Sequence, residues 1–588
     1  MRSQSFSGVE DWRAFESGKI KYGGRLSHSL PADHHYREGL SVIKISDSVH
    51  LRAITVARQR EGDPTQHIMA QKSLDGGQTW GEWFDVEPDG PPMTSYGSFT
   101  RHPKTGRVYF IYELGPENPR PPLADGSPFR GHPHHVGKVV MRYVNADGDF
   151  SERHILAIPQ AEIDKTNVFN GRHEMFYIKP APQWLSGGDG YGYYTKLGPE
   201  VDVGQGEAFL LRFIGYADND ALHELPIELL PEGGRGIQAP GSPSVAEFGP
   251  IYRDGQDMAF KFRTTAGFAG IAESHDGGRS FTAGFMRYMP DGDLVKNPEG
   301  PLTIARDGKG RIYLSFYNNS EALPRWSGRD LVWLSQIRII DGALHLTQPE
   351  LLVYRRDQEG QDPRHDTRLN CARFTPAEDG VISQITDKLE SRSFPVPAAF
   401  LDMIESQYEL CETPERGLVV RHHGPLPASL QLPSLNLLNE GRGMTLAVSF
   451  DGASPGSMVS AWENDHGFTL KLTDDGGAEF TLSDGGAPLA LLSDPGALRK
   501  NGANHVAVMV DGQARIITMV VNERLQDGGN VRGRGSLRIP LEIAGISCPQ
   551  RCDISATNDA FRNLHVYDRP LFTTEAIGLQ RAIAAHND

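Results

Sequence analysis

The chain has 588 residues, with 75 Asp and Glu against 59 Lys and Arg and a formal net charge of −16 at pH 7. That length exceeds one compact core and predicts two or more domains. An acidic chain without a run of Lys and Arg excludes nucleic acid as a partner, because phosphate-backbone binding needs a clustered basic surface. No stretch approaches the ~18 apolar residues of a membrane span. The opening MRSQSFSGVEDWRAFESGK holds no apolar targeting core, so no membrane partner and a cytoplasmic location are expected. Cys371, Cys411, Cys548 and Cys552 are too sparse for a disulfide framework, and Cys548-Pro-Gln-Arg-Cys552 lacks zinc-site spacing.

From about residue 35 to 390 the chain is a series of short strand-forming runs broken by Gly, Asp, Pro and Asn. In order they include Leu40–Ile45, Val108–Tyr112, Gly137–Tyr143, Phe209–Ile214 and Arg311–Tyr317. Two turns share wording, His102-Pro-Lys-Thr-Gly-Arg-Val-Tyr109 and Arg306-Asp-Gly-Lys-Gly-Arg-Ile-Tyr313, which indicates a repeated hairpin position. A second pattern is more specific: Ser73-Leu-Asp75-Gly-Gly77-Gln-Thr79-Trp80 and Ser274-His-Asp276-Gly-Gly278-Arg-Ser280-Phe281. Both read Ser-x-Asp-x-Gly-x-(Ser/Thr)-aromatic, a turn in which short polar side chains bond turn amides, glycines take positive φ and the aromatic packs back between strands. Pro395–Glu405 has helical apolar spacing, with Phe400, Leu401 and Ile404 on one face, and a Pro- and Leu-rich linker, Gly424–Pro433, follows. Strand-forming runs then resume at Met444–Phe450, Phe468–Leu472, His505–Gly512, Ile516–Asn522 and Asn563–Pro570. Thr473-Asp-Asp475-Gly-Gly477-Ala-Glu-Phe480 has Glu at the second hydroxyl position and reads as an ordinary hairpin.

The paired Ser-x-Asp-x-Gly motifs resemble the Asp-box (BNR) of sialidase-type β-propellers, where the box is a peripheral folding device between the outer strands of a blade. The later strand order, with the terminal His565-Val-Tyr-Asp-Arg-Pro-Leu-Phe-Thr-Thr-Glu-Ala-Ile577, resembles a concanavalin-like (laminin G-like) sandwich. The resemblance implies an all-β chain: a six-bladed sialidase-type β-propeller over 1–395, a helix and linker over 396–435, and a jelly-roll β-sandwich over 436–588. Related sandwiches often bind calcium, so a structural calcium is compatible with the resemblance, although no Asp-x-Asp-type loop demands one. No other cofactor is required. A homo-oligomer is likewise compatible with the sequence.

A propeller brings loops distant in sequence to one central shaft. The resemblance implies a glycan pocket there, with arginines for an anionic sugar, a tyrosine paired with a glutamate as nucleophile and an aspartate as acid/base. No Phe-Arg-Ile-Pro segment stands near the start. The nearest counterpart, His34-His-Tyr-Arg37-Glu38-Gly39, offers Arg37 as anion clamp and Glu38 as acid or base, or a plain surface ion pair. In Asn170-Gly-Arg172-His173-Glu174-Met-Phe-Tyr177, strand alternation lets either Arg172 with Glu174, or His173 alone, face the pocket. His132, His134 and His135 form a His-rich loop whose spacing is not a metal-ligand pattern, and His134 and His135 are expected at the pocket mouth or in solvent. Tyr317 and Asp366 are candidates for nucleophile or acid and for general acid/base, Arg329 for the anion clamp and Lys388 for substrate binding. Trp80, Trp83, Trp184, Trp326 and Trp333 could stack on sugars, but aromatics at hairpin ends are mostly blade core.

The expected function is that of a carbohydrate-active enzyme with an oligosaccharide substrate, an exo-acting glycoside hydrolase on an acidic or deoxy sugar. Two alternatives stay open. One is a lyase in which a His or Tyr takes the proton α to a uronate carboxylate while Arg offsets the charge. The other is a non-catalytic glycan-binding protein, which should lack a convergent carboxylate and base.

Overall fold

The structure, a computed structural model, describes residue 34 and residues 36–587 apart from 88–91, 178–181, 183, 199–204, 289–291, 321–328, 330, 341, 355–372, 377–379, 387–390, 425–426, 436, 439–442, 453, 530–531, 541, 544 and 555–560. The chain is all-β. Strands from Tyr36 to Val396 form six consecutive antiparallel blade units with inner strands Tyr36–Lys44, Thr94–Arg101, Glu174–Tyr177, Val245–Asp254, Thr303–Arg306 and Arg373–Pro376. Inner strands of several successive blades touch: Tyr36–Lys44 meets Thr94–Arg101, and Val245–Asp254 meets Thr303–Arg306, which in turn meets Arg373–Pro376. Between the second and third blades the link is stronger. Glu174–Tyr177 pairs with Val136–Val144 on one side and with Asp189–Leu197 on the other, so both blades share one nine-stranded sheet.

Local chemistry explains the hairpin tips. Ser73 Oγ donates to Asp75 Oδ1 at 2.7 Å, Thr79 Oγ1 donates to Asp75 Oδ2 at 2.5 Å, and Gly77 N–H donates to Ser73 Oγ at 2.8 Å. The second motif repeats the set: Ser274 Oγ to Asp276 at 2.9 Å, Ser280 Oγ to Asp276 at 2.6 Å, and Gly278 N–H to Ser274 Oγ at 2.9 Å. Each motif joins the third and fourth strands of its blade, His67–Ser73 to Phe84–Asp85 and Gly270–Ser274 to Thr282–Phe285. Hydrogen bonds from Thr79 and Ser73 hold the Asp75 carboxyl down at about 2, and those from Ser280 and Ser274 do the same for Asp276. Phe281 packs on Phe260 at 5.8 Å between ring centroids, while Trp80 lies under the Arg52 guanidinium at 4.2 Å. Trp333 is buried in the core, and the Trp184 side chain and Trp326 lie outside the described residues.

The C-terminal part packs a seven-stranded sheet against a six-stranded one around an apolar core that includes Leu446, Phe468, Phe480, Val508 and Met519. The expected linker differs from the structure. Leu418–His423 pairs with Phe561–Tyr567 and Ser429–Gln431 pairs with Arg551–Ile554, so strands within 396–435 belong to the sandwich sheets. The reason lies in pairing: each adds to a sheet edge that would otherwise leave a row of backbone donors unpaired. The preceding helix, Ala398–Ser406, buries Phe400, Leu401, Met403 and Ile404 against the propeller strand Leu331–Ile340 and its neighbours. The Thr473–Phe480 turn joins two sandwich strands and repeats only the first half of the box, with Gly477 N–H donating to Thr473 Oγ1 at 3.1 Å.

Propeller and sandwich share a core in which Ile251, Met286, Phe316 and Trp333 meet Met509, Ile516, Leu571 and Leu579. The Glu350 carboxylate accepts the Thr573 and Thr574 N–H groups at 3.0 and 2.6 Å, capping the C-terminal helix Thr573–Asn587 from the propeller side. At another edge of this contact, burial and then the neighbouring Asp527 and Asp293 push the Asp494 carboxyl up to about 6. A carboxyl raised above its unfolded value makes the native state lose stability as pH climbs from about 4 to 6. Asp494→Asn should therefore stabilise the protein by about 1–2 kcal/mol at pH 7.5, after allowance for partial exposure, and by almost nothing at pH 4. Urea unfolding at the two pH values checks this.

Candidate active site

Two inner strands carry the same irregularity at the same level. Thr94–Arg101 shifts register between Ser95 and Ser98, and Val245–Asp254 between Ala246 and Gly249. The first bulge residue in each, Tyr96 and Glu247, has φ of 51°. Non-glycine residues adopt this region at a cost, and bulges there re-aim a side chain. The conformations are supported by specific bonds: Tyr96 N–H donates to Thr55 Oγ1 at 2.9 Å, and Lys261 Nζ donates to the Glu247 carbonyl at 2.6 Å. Gly97 follows Tyr96 because a Cβ there would fall 2.1 Å from the Phe110 ring. The first blade shifts register at the same place, between Glu38 and Ser41.

The re-aimed side chains join groups from five blades. Tyr177 Oη donates to Glu247 Oε1 at 3.3 Å, and Arg263 Nη1 donates to the same oxygen at 3.1 Å. Arg263 Nη2 reaches Glu299 Oε1 at 3.2 Å. Burial works against the Arg263 charge, yet Glu247, Tyr177 and Glu299 together hold its guanidinium more firmly protonated than usual. Arg329 Nη2 donates to the Glu299 carbonyl at 2.7 Å, and its guanidinium lies 5.9 Å from the Tyr317 ring centre. On the other side Tyr96 Oη donates to Glu61, whose carboxylate stands 3.8 Å from His134 Nε2. Rings close the gap: Tyr96 is 6.1 Å from Tyr177, and His135 is 5.0 Å from Tyr177 and 4.0 Å from His134. Burial, reinforced by His134 and His132, pushes the His135 imidazole well below its ordinary value, so it is neutral at pH 7.

Of the expected site residues, His134, His135, Tyr317 and Arg329 stand in this network, all buried. Arg172, His173 and Glu174 do not. Arg172 spends its guanidinium on the carbonyls of Leu123 at 2.7 Å and Phe169 at 3.2 Å, tying down its own loop. His173 sits edge-on to Phe169 at 5.1 Å, and burial pushes its imidazole down. Glu174 lies near Lys196 and Asp164, with burial raising its carboxyl. Strand alternation places it on the opposite face from Tyr177, three residues on, and Tyr177 is the side chain that reaches the shaft. Arg37 and Glu38 lie on the first inner strand, but their side chains, like Asp366 and Lys388, fall outside the described residues.

The sequence reading missed Glu61, Tyr96, Tyr177, Glu247, Arg263 and Glu299. One signal was present: a polar residue followed within two positions by glycine near the start of an inner strand, as in Glu38-Gly39, Tyr96-Gly97 and Glu247-Phe-Gly249. Among the described residues no group of three or more His, Cys, Asp and Glu could hold a metal ion. The site offers instead a phenol on a carboxylate, two arginines, a second carboxylate bearing a phenol, and a neutral imidazole.

No family model matches the chain, and no curated protein matches it in sequence. Among solved structures, it is similar to the sialidase of Trypanosoma rangeli in complex with 2,3-difluorosialic acid, with 13% identity over 96% of this chain and 98% of that one and a TM-score of 0.42. A protein of unknown function from Dyadobacter fermentans aligns over 62% of this chain and 93% of its own at 16% identity and a TM-score of 0.37. The NanB sialidase from Streptococcus pneumoniae aligns over 62% and 68% at 11% identity, also with a TM-score of 0.37.

Proposed function

We propose that this chain is a carbohydrate-active enzyme, an exo-acting glycoside hydrolase of an acidic or deoxy-sugar glycan, with its pocket at the centre of the propeller and a concanavalin-like sandwich completing it. The observation that carries the reading is the Tyr177–Glu247–Arg263 contact, built on a bulge that holds Glu247 at positive φ. A carboxylate that accepts a phenolic hydrogen bond can take that proton as the phenol oxygen bonds to an anomeric carbon. The departing glycosidic oxygen then needs a proton, and we assign that role to Glu61, whose carboxyl is oriented by Tyr96. Water then attacks the anomeric carbon and gives its proton to the Glu61 carboxylate, while Glu247 returns its proton to the departing Tyr177 oxygen. Arg263 and Arg329 supply the cationic wall that an acidic sugar requires.

The lyase reading has one observation in its favour, the neutral His135 ring set edge-on to Tyr177 at 5.0 Å. One screen separates the readings. The purified protein is incubated with uronic-acid and nonulosonic-acid oligosaccharides while reducing ends and ultraviolet absorbance of unsaturated product are followed together. Reducing ends without absorbance are expected, and Arg329→Ala should abolish them. Absorbing product would assign the lyase, and binding without turnover would assign a lectin.

A further inference from the structure

A single pentapeptide of the propeller, Lys296-Asn-Pro-Glu-Gly300, touches both the sandwich and the shaft. Its first residue, a buried lysine, donates through Nζ to the carbonyls of Asp527 at 2.7 Å and Arg532 at 2.6 Å, and stands 3.4 Å from the Asp527 carboxylate. These acceptors belong to a sandwich loop that Arg532 itself stiffens, donating to the carbonyls of Gln526 at 2.9 Å and Arg534 at 2.8 Å. The second residue, Asn297, accepts the Tyr317 N–H at 3.3 Å. Glu299 meets Arg263 through its carboxylate at 3.2 Å and Arg329 through its carbonyl at 2.7 Å. Gly300 leaves room for both partners: a Cβ there would lie 2.9 Å from Arg329 Nε and 3.0 Å from Tyr317.

The sandwich loop grips the same region from a second side. Ser320 N–H donates to the Gly533 carbonyl at 2.8 Å, Gly535 N–H donates to the Asn318 carbonyl at 2.9 Å, and Asn319 bridges Arg534 as in an antiparallel pair. Asn318, at φ of 48°, directly follows Tyr317. The approach is so close that a Cβ on Gly535 would fall 2.1 Å from Asn318 Nδ2. The loop therefore sets the exit of the strand that carries Tyr317, while Lys296 sets the segment that carries Glu299.

We infer that Lys296 and the sandwich residues Arg532–Gly535 are positioning elements of the shaft, so that Arg263, Arg329 and Tyr317 are correctly placed only with the C-terminal sandwich docked. This rests on the reading of the shaft as an active site. The chemistry is that of preorganisation: a displacement of about 1 Å in groups that orient a substrate costs on the order of 100-fold in rate. Lys296 acts through Glu299 and Asn297.

The test uses the full chain and three variants. Lys296→Met removes the donors that hold the loop, Gly535→Ala forces it away from Asn318, and Val508→Ala opens a cavity in the sandwich core away from the contact. Amide exchange and kcat/KM are measured at a temperature where circular dichroism shows all three folded. Faster exchange at Asn297, Glu299, Gly300 and Tyr317, with about a 100-fold fall in kcat/KM, is expected for Lys296→Met and Gly535→Ala but not for Val508→Ala. Wild-type exchange at Tyr317 in both contact variants overturns the inference. So does loosened exchange with unchanged kcat/KM, or an equal kinetic loss in Val508→Ala. If the wild type turns over no sugar, the glycosidase reading fails, and the exchange rates alone decide whether docking controls the shaft.

Discussion

Glu247→Gln should lower kcat by about 1,000-fold while leaving KM within a small factor of wild type, because it removes the proton acceptor for Tyr177 while Glu299 still pairs with Arg263. Glutamine keeps the shape and an oxygen that can accept from Arg263 and Tyr177, which now bond Glu247 at 3.1 and 3.3 Å. What it cannot do is take the Tyr177 proton. Tyr177→Phe should cost a similar factor, and the double variant should be hardly worse than either single one, since the two groups act as a unit. Arg263→Ala should behave differently. It strips the charge partner from both Glu247 and Glu299, so it should raise KM for acidic substrates, lower kcat and lower the unfolding midpoint. Steady-state kinetics with thermal unfolding on the same samples reads all of these. Retention of wild-type kcat by Glu247→Gln would remove the bulge from the chemistry.

Acidification should destabilise the sandwich well before carboxylates dominate. His505 and His565 are buried in its seven-stranded sheet, where burial first, and neighbouring histidines second, push their imidazoles down to about 3 and about 4. An unfolded histidine titrates near 6.5. Between that pH and the folded values the unfolded chain binds more protons than the native one, so stability falls as pH drops through 6.5 towards 4. At pH 4 each residue accounts for roughly 2–3 kcal/mol of lost stability, a large share of the 5–15 kcal/mol typical of a domain. His505→Leu with His565→Leu should flatten this dependence. Urea midpoints at pH 7, 5.5 and 4.5 test it, and a parallel loss in wild type and double variant would assign the acid sensitivity elsewhere.

The two hairpin tips were legible in the sequence because the bonds made by their Ser, Asp and Thr or second Ser side chains stay within the motif, from Ser73 to Thr79 and from Ser274 to Ser280. The helix at Ala398–Ser406 was legible for a similar reason, since its periodicity encodes the face it buries. The shaft was not. Glu61, Tyr96, Tyr177, Glu247 and Glu299 lie on five separate segments, and Tyr96 and Glu247 point inwards only because a register shift breaks the alternation on which the sequence reading relied. In the 170–177 motif the expectation rested on Arg172 with Glu174, or on His173, because an isolated motif shows which groups are chemically able and not which of them reaches the shaft. The sandwich edge strands were hidden because Leu418–His423 and Ser429–Gln431 are short runs flanking the prolines of the Gly424–Pro433 stretch, which read as a linker.

The sheet shared by the second and third blades has a mechanical consequence. Glu174–Tyr177 joins these two with main-chain ladder bonds on both of its flanks, whereas the third and fourth blades meet through isolated main-chain links such as the Gly206–Ser244 bridge. Tyr96, His134, His135 and Tyr177 all hang from that one welded plate and keep fixed spacing. The facing wall has no such plate: Glu247 lies on Val245–Asp254 of another sheet, while Glu299 and Arg329 lie between strands, so its spacing is kept by the Arg263 and Arg329 bonds and by the sandwich loop that holds Lys296.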